Sequence, residues 1–154
     1  MKPGDVVPDF ELPDQSGTPR KLSEFLAKGP VVLYFYPAAM TPGCTAESCH
    51  FRDLRQDFEA IGAQRVGISA DKVDKQKKFA DKYNFDFPLL SDPDATVANH
   101  FGVHRNISLM PTKRVTFVIG TDSRVLDVIK SEIRMGIHAD RALEVLRARA
   151  GTGT

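Results

Sequence analysis

Tyr36-Pro37-Ala38-Ala39-Met40-Thr41-Pro42-Gly43-Cys44-Thr45-Ala46-Glu47-Ser48-Cys49 follows directly on a strongly apolar run at residues 31–36. That run reads as a central buried strand, because an apolar residue stands at every position and both faces need covering. What comes next reads as the mouth of a helix. Thr41 suits the N-cap, where its hydroxyl would accept from an N–H of the following turn. Pro42 falls at the first helical position, where a missing N–H is harmless. Gly43 lets the backbone come close to a small ligand. Cys44 then sits at about the third helical position, within reach of unpaired N–H groups. Those groups, with the positive end of the helix dipole, favour a thiolate over a thiol.

Cys44 and Cys49 are the only cysteines in the chain. On an ideal helix a five-residue step separates two Cα atoms by about 8.7 Å, whereas a disulfide needs roughly 4.4–6.8 Å. Phe51, Leu54 and Phe58 mark by their 3-4 spacing the buried stripe of a helix reaching to about residue 58. Cys44 lies near that stripe and Cys49 nearly opposite it. The two thiols cannot bond while the helix is intact, so a bond between them requires residues 41–52 to unwind.

Around this stretch the elements alternate. Residues 9–12 read as a short strand, 14–19 as a turn, and 22–27 as a helical turn capped by Ser23. A strand at 64–69 precedes a lysine-rich amphipathic helix at 71–83, then a brief strand at 87–90, the loop 91–94 and a helix at 95–101. Residues 114–119 and 125–129 alternate as a hairpin across a turn at 120–123. A last amphipathic helix covers 139–148, and residues 151–154 form a flexible tail. This order predicts an α/β chain of thioredoxin-like plan: a central mixed β-sheet flanked by helices, with an N-terminal extension, as a single domain over 1–150.

The 154 residues suffice for one real core, and a formal net charge of +1 gives no reason to expect nucleic acid, a membrane surface or a polyanion as partner. The densest basic stretch, Lys72-x-x-Lys75-x-Lys77-Lys78, reads as a solvated helix face. Neither an apolar targeting segment nor a stretch long enough to span a bilayer is visible, so a cytoplasmic location is expected. There, a pair of cysteines is more often catalytic or metal-binding than structural.

Pro37-x-x-x-Thr41-x-x-Cys44 resembles the peroxiredoxin active-site motif. Its continuation, Pro42-Gly43-Cys44-Thr45-x-Glu47-x-Cys49-x-Phe51-Arg52-Asp53, is similar to the peroxiredoxin Q branch, also called the bacterioferritin-comigratory protein group. Gly4-Asp5-x-x-Pro8-Asp9-Phe10-x-Leu12 resembles the family's opening, Arg114-x-Thr116-Phe117-Val118-Ile119 its arginine-bearing strand, and His138-Ala139 the start of its last helix. The likeness covers residues 3 to 148.

The resemblance implies a thiol-dependent peroxidase acting on hydrogen peroxide and organic hydroperoxides. Cys44 would be the peroxidatic cysteine, becoming a sulfenic acid. Thr41 would orient the peroxide, Arg114 would hold the thiolate and the developing charge, and Pro37 would shield the thiol. Cys49 would resolve the sulfenic acid as an intramolecular disulfide, which thioredoxin or a similar dithiol reduces. Gly43, Glu47 and Arg52 would support the site. The residue chemistry agrees, since a helix N-terminus, a hydroxyl and a guanidinium supply what O–O cleavage needs without a metal or organic cofactor. A monomer is implied, with a dimer as the alternative.

Two places depart from the family pattern. Ala38-Ala39-Met40 stands where many relatives carry acidic residues, which predicts a more apolar pocket rim. Gly120 stands where an aspartate is common, in a turn.

Other readings remain open at this stage. A thiol–disulfide oxidoreductase is disfavoured by the four-residue gap between the cysteines, against two in Cys-x-x-Cys. A non-enzymatic redox sensor would need nearly the same residues and differs only in turnover. Cys44, Cys49 and His50 have metal-ligand chemistry but lie outside usual zinc spacing, and His100 and His104 flank a helix-ending Gly102. Leu33, Phe35 and Phe117 are candidate walls of the site and otherwise core.

Overall fold

The computed structural model describes residues 1–151. Its N-terminal part is an antiparallel hairpin of β1 (Glu11–Pro13) and β2 (Pro19–Lys21), followed by α1 (Leu22–Leu26). β2 is absent from the sequence reading because Pro19-Arg20-Lys21 carries no apolar alternation. Its pairing is set by the turn instead: Asp14 Oδ1 accepts from the backbone N–H groups of Ser16 and Thr18 at 2.9 and 3.1 Å, folding the chain back on itself. Ser23 does not cap α1. Lys21 holds that position, and the Ser23 hydroxyl donates to Asp9 Oδ2 at 2.8 Å.

The main body runs β3 (Val31–Phe35), α2 (Pro42–Asp53), α3 (Arg55–Ala60), β4 (Gln64–Ser69), α4 (Val73–Tyr83), β5 (Leu89–Ser91), α5 (Thr96–Phe101), β6 (Val115–Ile119), β7 (Val125–Lys130) and α6 (Ile137–Gly151). The strands form one mixed sheet in the order β5-β4-β3-β6-β7. β3, β4 and β5 are parallel; β6 and β7 are antiparallel to their neighbours. The thioredoxin-like plan with an N-terminal extension is therefore present.

β3 is apolar throughout because it lies in the middle of the sheet with a core on each face. Val31, Leu33 and Phe35 point into one cluster with Phe101 and Phe117. Val32 and Tyr34 point into the other, with Cys44, Phe51, Phe58 and Phe79. Leu33, Phe35 and Phe117 thus face away from Cys44 and are core, not walls of the site.

The helix expected to reach residue 58 is two helices. Leu54, at φ −93° and ψ 18°, leaves helical geometry between α2 and α3. Arg65 of β4 donates to the freed Phe51 carbonyl at 2.9 Å and replaces the helical bond lost there. The buried stripe of α2 is Cys44, Glu47, Ser48 and Phe51, with Leu54 at the break and Phe58 on α3. At the other end, α6 extends through Gly151; the remainder of the expected tail lies outside the described residues. Among the described residues, no helix is long and apolar enough to cross a membrane.

Candidate active site

Cys44 is the third residue of α2 and is fully buried. Helical geometry leaves the Gly43 and Cys44 N–H groups without intrahelical acceptors, so the thiol sits in a turn of free donors. Thr41 is at the N-cap, with φ −86° and ψ 153°, but its side chain makes no capping bond. Its hydroxyl donates to the Ala38 carbonyl at 2.7 Å. What Thr41 offers a ligand in this state is a lone pair. Of the three residues before it, Ala38 and Ala39 are buried, and only Met40, 39% exposed, reaches the surface. The apolar rim expected from Ala38-Ala39-Met40 therefore reduces to Met40. The Ala39 N–H donates to Asp71 Oδ2 at 2.7 Å, which ties this loop to the end of β4.

Arg114 lies immediately before β6, opposite the start of α2. Its Nη2 is 3.4 Å from Cys44 Sγ and its Nη1 is 2.7 Å from Glu47 Oε1. Its backbone N–H donates to Glu132 Oε2 at 2.7 Å, and Glu132 Oε1 accepts from Arg105 Nη1 at 3.0 Å. The Nε–H of Arg114 is buried and unpartnered. Burial pulls the guanidinium down, but the facing Glu47 and Cys44 outweigh it and hold Arg114 above its ordinary pKa.

Glu47 projects from the same face of α2 as Cys44 and is completely buried. Burial drives its carboxyl up to about 8, against the pull of Arg114. Beyond it, at the start of α6, lies His138. Its Nε2 meets the Ser131 carbonyl at 2.9 Å and its Nδ1 meets the Thr116 hydroxyl at 2.8 Å. Burial pushes the imidazole down, toward its neutral form.

Cys49 is half-buried on the flank of the same helix, and both thiols are free. It packs on the edge of the cluster that contains Cys44 rather than facing away from it. Burial raises its pKa, partly offset by Arg52. α2 is continuous from Pro42 to Asp53, across both cysteines.

The AhpC/TSA family model matches residues 3–128. The chain belongs to the AhpC/TSA family. It is a peroxiredoxin, and hence a thiol peroxidase, similar to the Bcp and peroxiredoxin Q branch. It is 65% identical to peroxidoxin BcpB from Mycobacterium tuberculosis, whose crystal structure superposes with a TM-score of 0.93 over 96% of this chain and 97% of that one. It is 38% identical to peroxiredoxin Bcp of Escherichia coli over 155 aligned residues, covering 97% of this chain and 98% of the relative. A structure from work on the alkyl peroxide reduction activity of the Xanthomonas campestris bacterioferritin comigratory protein is 32% identical, with a TM-score of 0.83 and 92% of each chain covered.

In this peroxiredoxin, Cys44, Glu47, Arg114 and Gly43 come together. A Cβ on Gly43 would lie 2.9 Å from Met135 Cε and 3.1 Å from Arg114 Nη2, so the glycine makes room for the guanidinium as well as for any ligand. Pro37 is buried in the loop after β3. Arg52 is not at the site: its Nη1 donates to the Tyr83 carbonyl at 2.7 Å and its Nε pairs with Asp53. Glu47 is more central than its expected supporting place. Glu132 and Met135 escaped sequence reasoning, Thr116 registered only as part of the arginine-bearing strand, and His138 only as a helix start. For Glu47 a signal existed, because positions 44, 47, 48 and 51 share one helical face with two core residues. No local pattern distinguishes Glu132 or Met135 from ordinary loop residues.

Proposed function

We propose that Cys44 is the peroxidatic thiol and Cys49 the resolving thiol of a two-cysteine cycle. The observation that carries this reading is the Arg114 guanidinium, placed 3.4 Å from a buried Cys44 sulfur at a helix N-terminus. The Cys44 thiolate attacks one peroxide oxygen; an S–O bond forms, the O–O bond breaks, and the departing oxygen leaves as water or an alcohol after taking a proton. Arg114 stabilises the charge on the separating oxygens through the Nη2 that lies beside the sulfur. Thr41 accepts from the peroxide O–H, and Pro37 keeps water from the sulfur. The Cys49 sulfur then attacks the sulfenic sulfur, an S–S bond forms and water leaves. A dithiol such as thioredoxin restores both thiols by exchange.

Because α2 is intact across both cysteines, the second step follows local unwinding of Pro42–Asp53. Alkyl hydroperoxides are included among the substrates. The likeness to the Xanthomonas campestris protein supports this, as do exposed Leu109 and Ile133 on the two segments that the Arg105–Glu132 pair joins beside Arg114. The enzyme works in the cytoplasm as a monomeric single domain.

The test is to add one equivalent of hydroperoxide to the reduced protein and count thiols by rapid quench. Loss of both thiols with a monomer mass two hydrogens lighter is expected, together with thioredoxin-driven turnover that Cys44→Ser abolishes. Turnover of Cys44→Ser at the wild-type rate, or survival of both thiols in excess peroxide, would overturn the assignment.

A further inference from the structure

One cation serves two acids at this site. Arg114 gives Nη2 to Cys44 and Nη1 to Glu47 Oε1, and all three side chains are buried. If both acids were ionised, the cluster would carry an uncompensated negative charge out of water, which buried sites avoid by binding a proton. One proton therefore resides on the pair, and the geometry around Glu47 tells where.

Oε1 of Glu47 has a charged donor, but Oε2 has none: it is buried and without a hydrogen-bond partner. The ring atom facing it is His138 Nδ1, at 3.6 Å. His138 Nε2 meets a carbonyl oxygen, which only accepts, so the ring proton is on Nε2 and the Nδ1 lone pair accepts from the Thr116 hydroxyl at 2.8 Å, leaving the ring no donor for Oε2. A bare carboxylate oxygen here would be buried with no donor to hold its charge. A proton on Oε2 removes that uncompensated charge. Cys44, in contrast, faces a guanidinium and free backbone N–H groups, all of which favour the anion.

We propose that in the reduced enzyme Glu47 is a neutral carboxylic acid protonated on Oε2, the oxygen that faces the donor-less edge of His138, and that the charge of Arg114 is thereby left to the Cys44 thiolate. His138 is a positioning residue in this scheme, reaching the thiol through Glu47 and Arg114. The remaining groups that face Glu47 fit it. Glu132, from the segment between β7 and α6, adds negative potential and disfavours a second carboxylate. Tyr34, on β3, is held well above its ordinary pKa by burial and stays neutral. Cys44 lies one turn earlier on α2 itself. The inference rests on Cys44 as the reactive thiolate, but its observables do not depend on turnover.

The experiment is infrared spectroscopy of the reduced full-length enzyme, with nitrogen NMR of its histidine rings. At neutral pH the spectrum is expected to hold a protonated-carboxyl C=O band that Glu47→Gln removes, that fades as pH rises past about 8, and that shifts in His138→Phe when the imidazole is lost. Absence of a band attributable to Glu47 at neutral pH would overturn the proposal, and so would a band insensitive to His138→Phe. Should either variant fail to fold, the wild-type NMR spectrum decides. A ring protonated at Nε2 only supports the scheme, and a proton on Nδ1 overturns it. If the band is present while thiol counting shows an inert Cys44, the peroxidase assignment fails and the Glu47 assignment stands.

Discussion

Tyr34 and Ser48 meet through their hydroxyl oxygens at 2.9 Å, both fully buried, at the point where α2 crosses β3. The Tyr34 ring stacks on Phe51 at 4.3 Å, and Gly67 makes room for its hydroxyl, because a Cβ there would lie 2.9 Å from it. This bond must break if α2 unwinds to let the cysteines meet. Tyr34→Phe leaves the Ser48 hydroxyl buried without its donor, a loss of about 1–3 kcal/mol. It loosens the folded helix more than the unwound one. The expected result is a lower unfolding midpoint in denaturant together with several-fold faster disulfide formation after peroxide. Unchanged or slower disulfide formation would show that α2 opens without releasing Ser48.

Arg114→Lys is the informative change at the guanidinium. Alanine would strand Glu47, whereas lysine keeps the charge but cannot span Cys44 and Glu47 with two separate nitrogens. Sulfenic acid formation, followed by stopped-flow fluorescence or rapid quench, should slow by on the order of 10²–10³, with resolution by Cys49 much less affected. A wild-type first step in Arg114→Lys would mean that charge alone, without fork geometry, suffices.

Gly43→Ala places a methyl group 2.9 Å from Met135 Cε and 3.1 Å from Arg114 Nη2. Methionine yields easily; the guanidinium yields only by leaving the sulfur. Peroxide reactivity should fall by roughly tenfold, in line with the misplacement of a catalytic donor. Adding Met135→Ala should recover part of it by giving the new methyl group another way out. No recovery would place the whole strain on Arg114.

Glu47 and His138 predict the pH dependence of stability with opposite signs. Glu47 is raised from 4.5 to about 8 on folding, so the folded state holds a proton that the unfolded state releases. Its contribution is full below about 4.5 and is lost as pH rises through about 8, a change on the order of a few kcal/mol. His138 is lowered from 6.5, so its neutral form stabilises the folded state above 6.5, and that contribution is lost as pH falls. Between about 6.5 and 8 only Glu47 is still changing. Denaturant unfolding should show stability declining across that interval, and Glu47→Gln should flatten the decline. A slope unchanged in Glu47→Gln would assign it to other groups.

The central strand and the thiol-bearing helix entry were legible because each obeys a local rule: unbroken apolarity for a strand covered on both faces, and Thr-Pro-Gly before a cysteine for a helix start. The rest of the site was legible only through the family resemblance, for physical reasons. Glu47 and Ser48 are polar residues at core positions, and hydrophobicity alone sends them to the surface; only their distant partners, Arg114 and Tyr34, justify burial. Thr41 kept its predicted position and changed its bond, its hydroxyl donating back to the Ala38 carbonyl instead of capping α2. The break at Leu54 depends on Arg65, which is eleven residues on and unreadable as a partner from α2.

That break has a consequence for wear over repeated turnovers. Phe58 on α3 and the Arg65 ion pair with Asp86 lie beyond it, outside the span that the proposed disulfide would unwind. A continuous rod from Pro42 to Ala60 would transmit each opening into the floor of the core. In the proposed cycle a joint at Leu54 would confine the reshaping to α2, leaving the deeper aromatic layer as the template on which the helix rewinds after reduction.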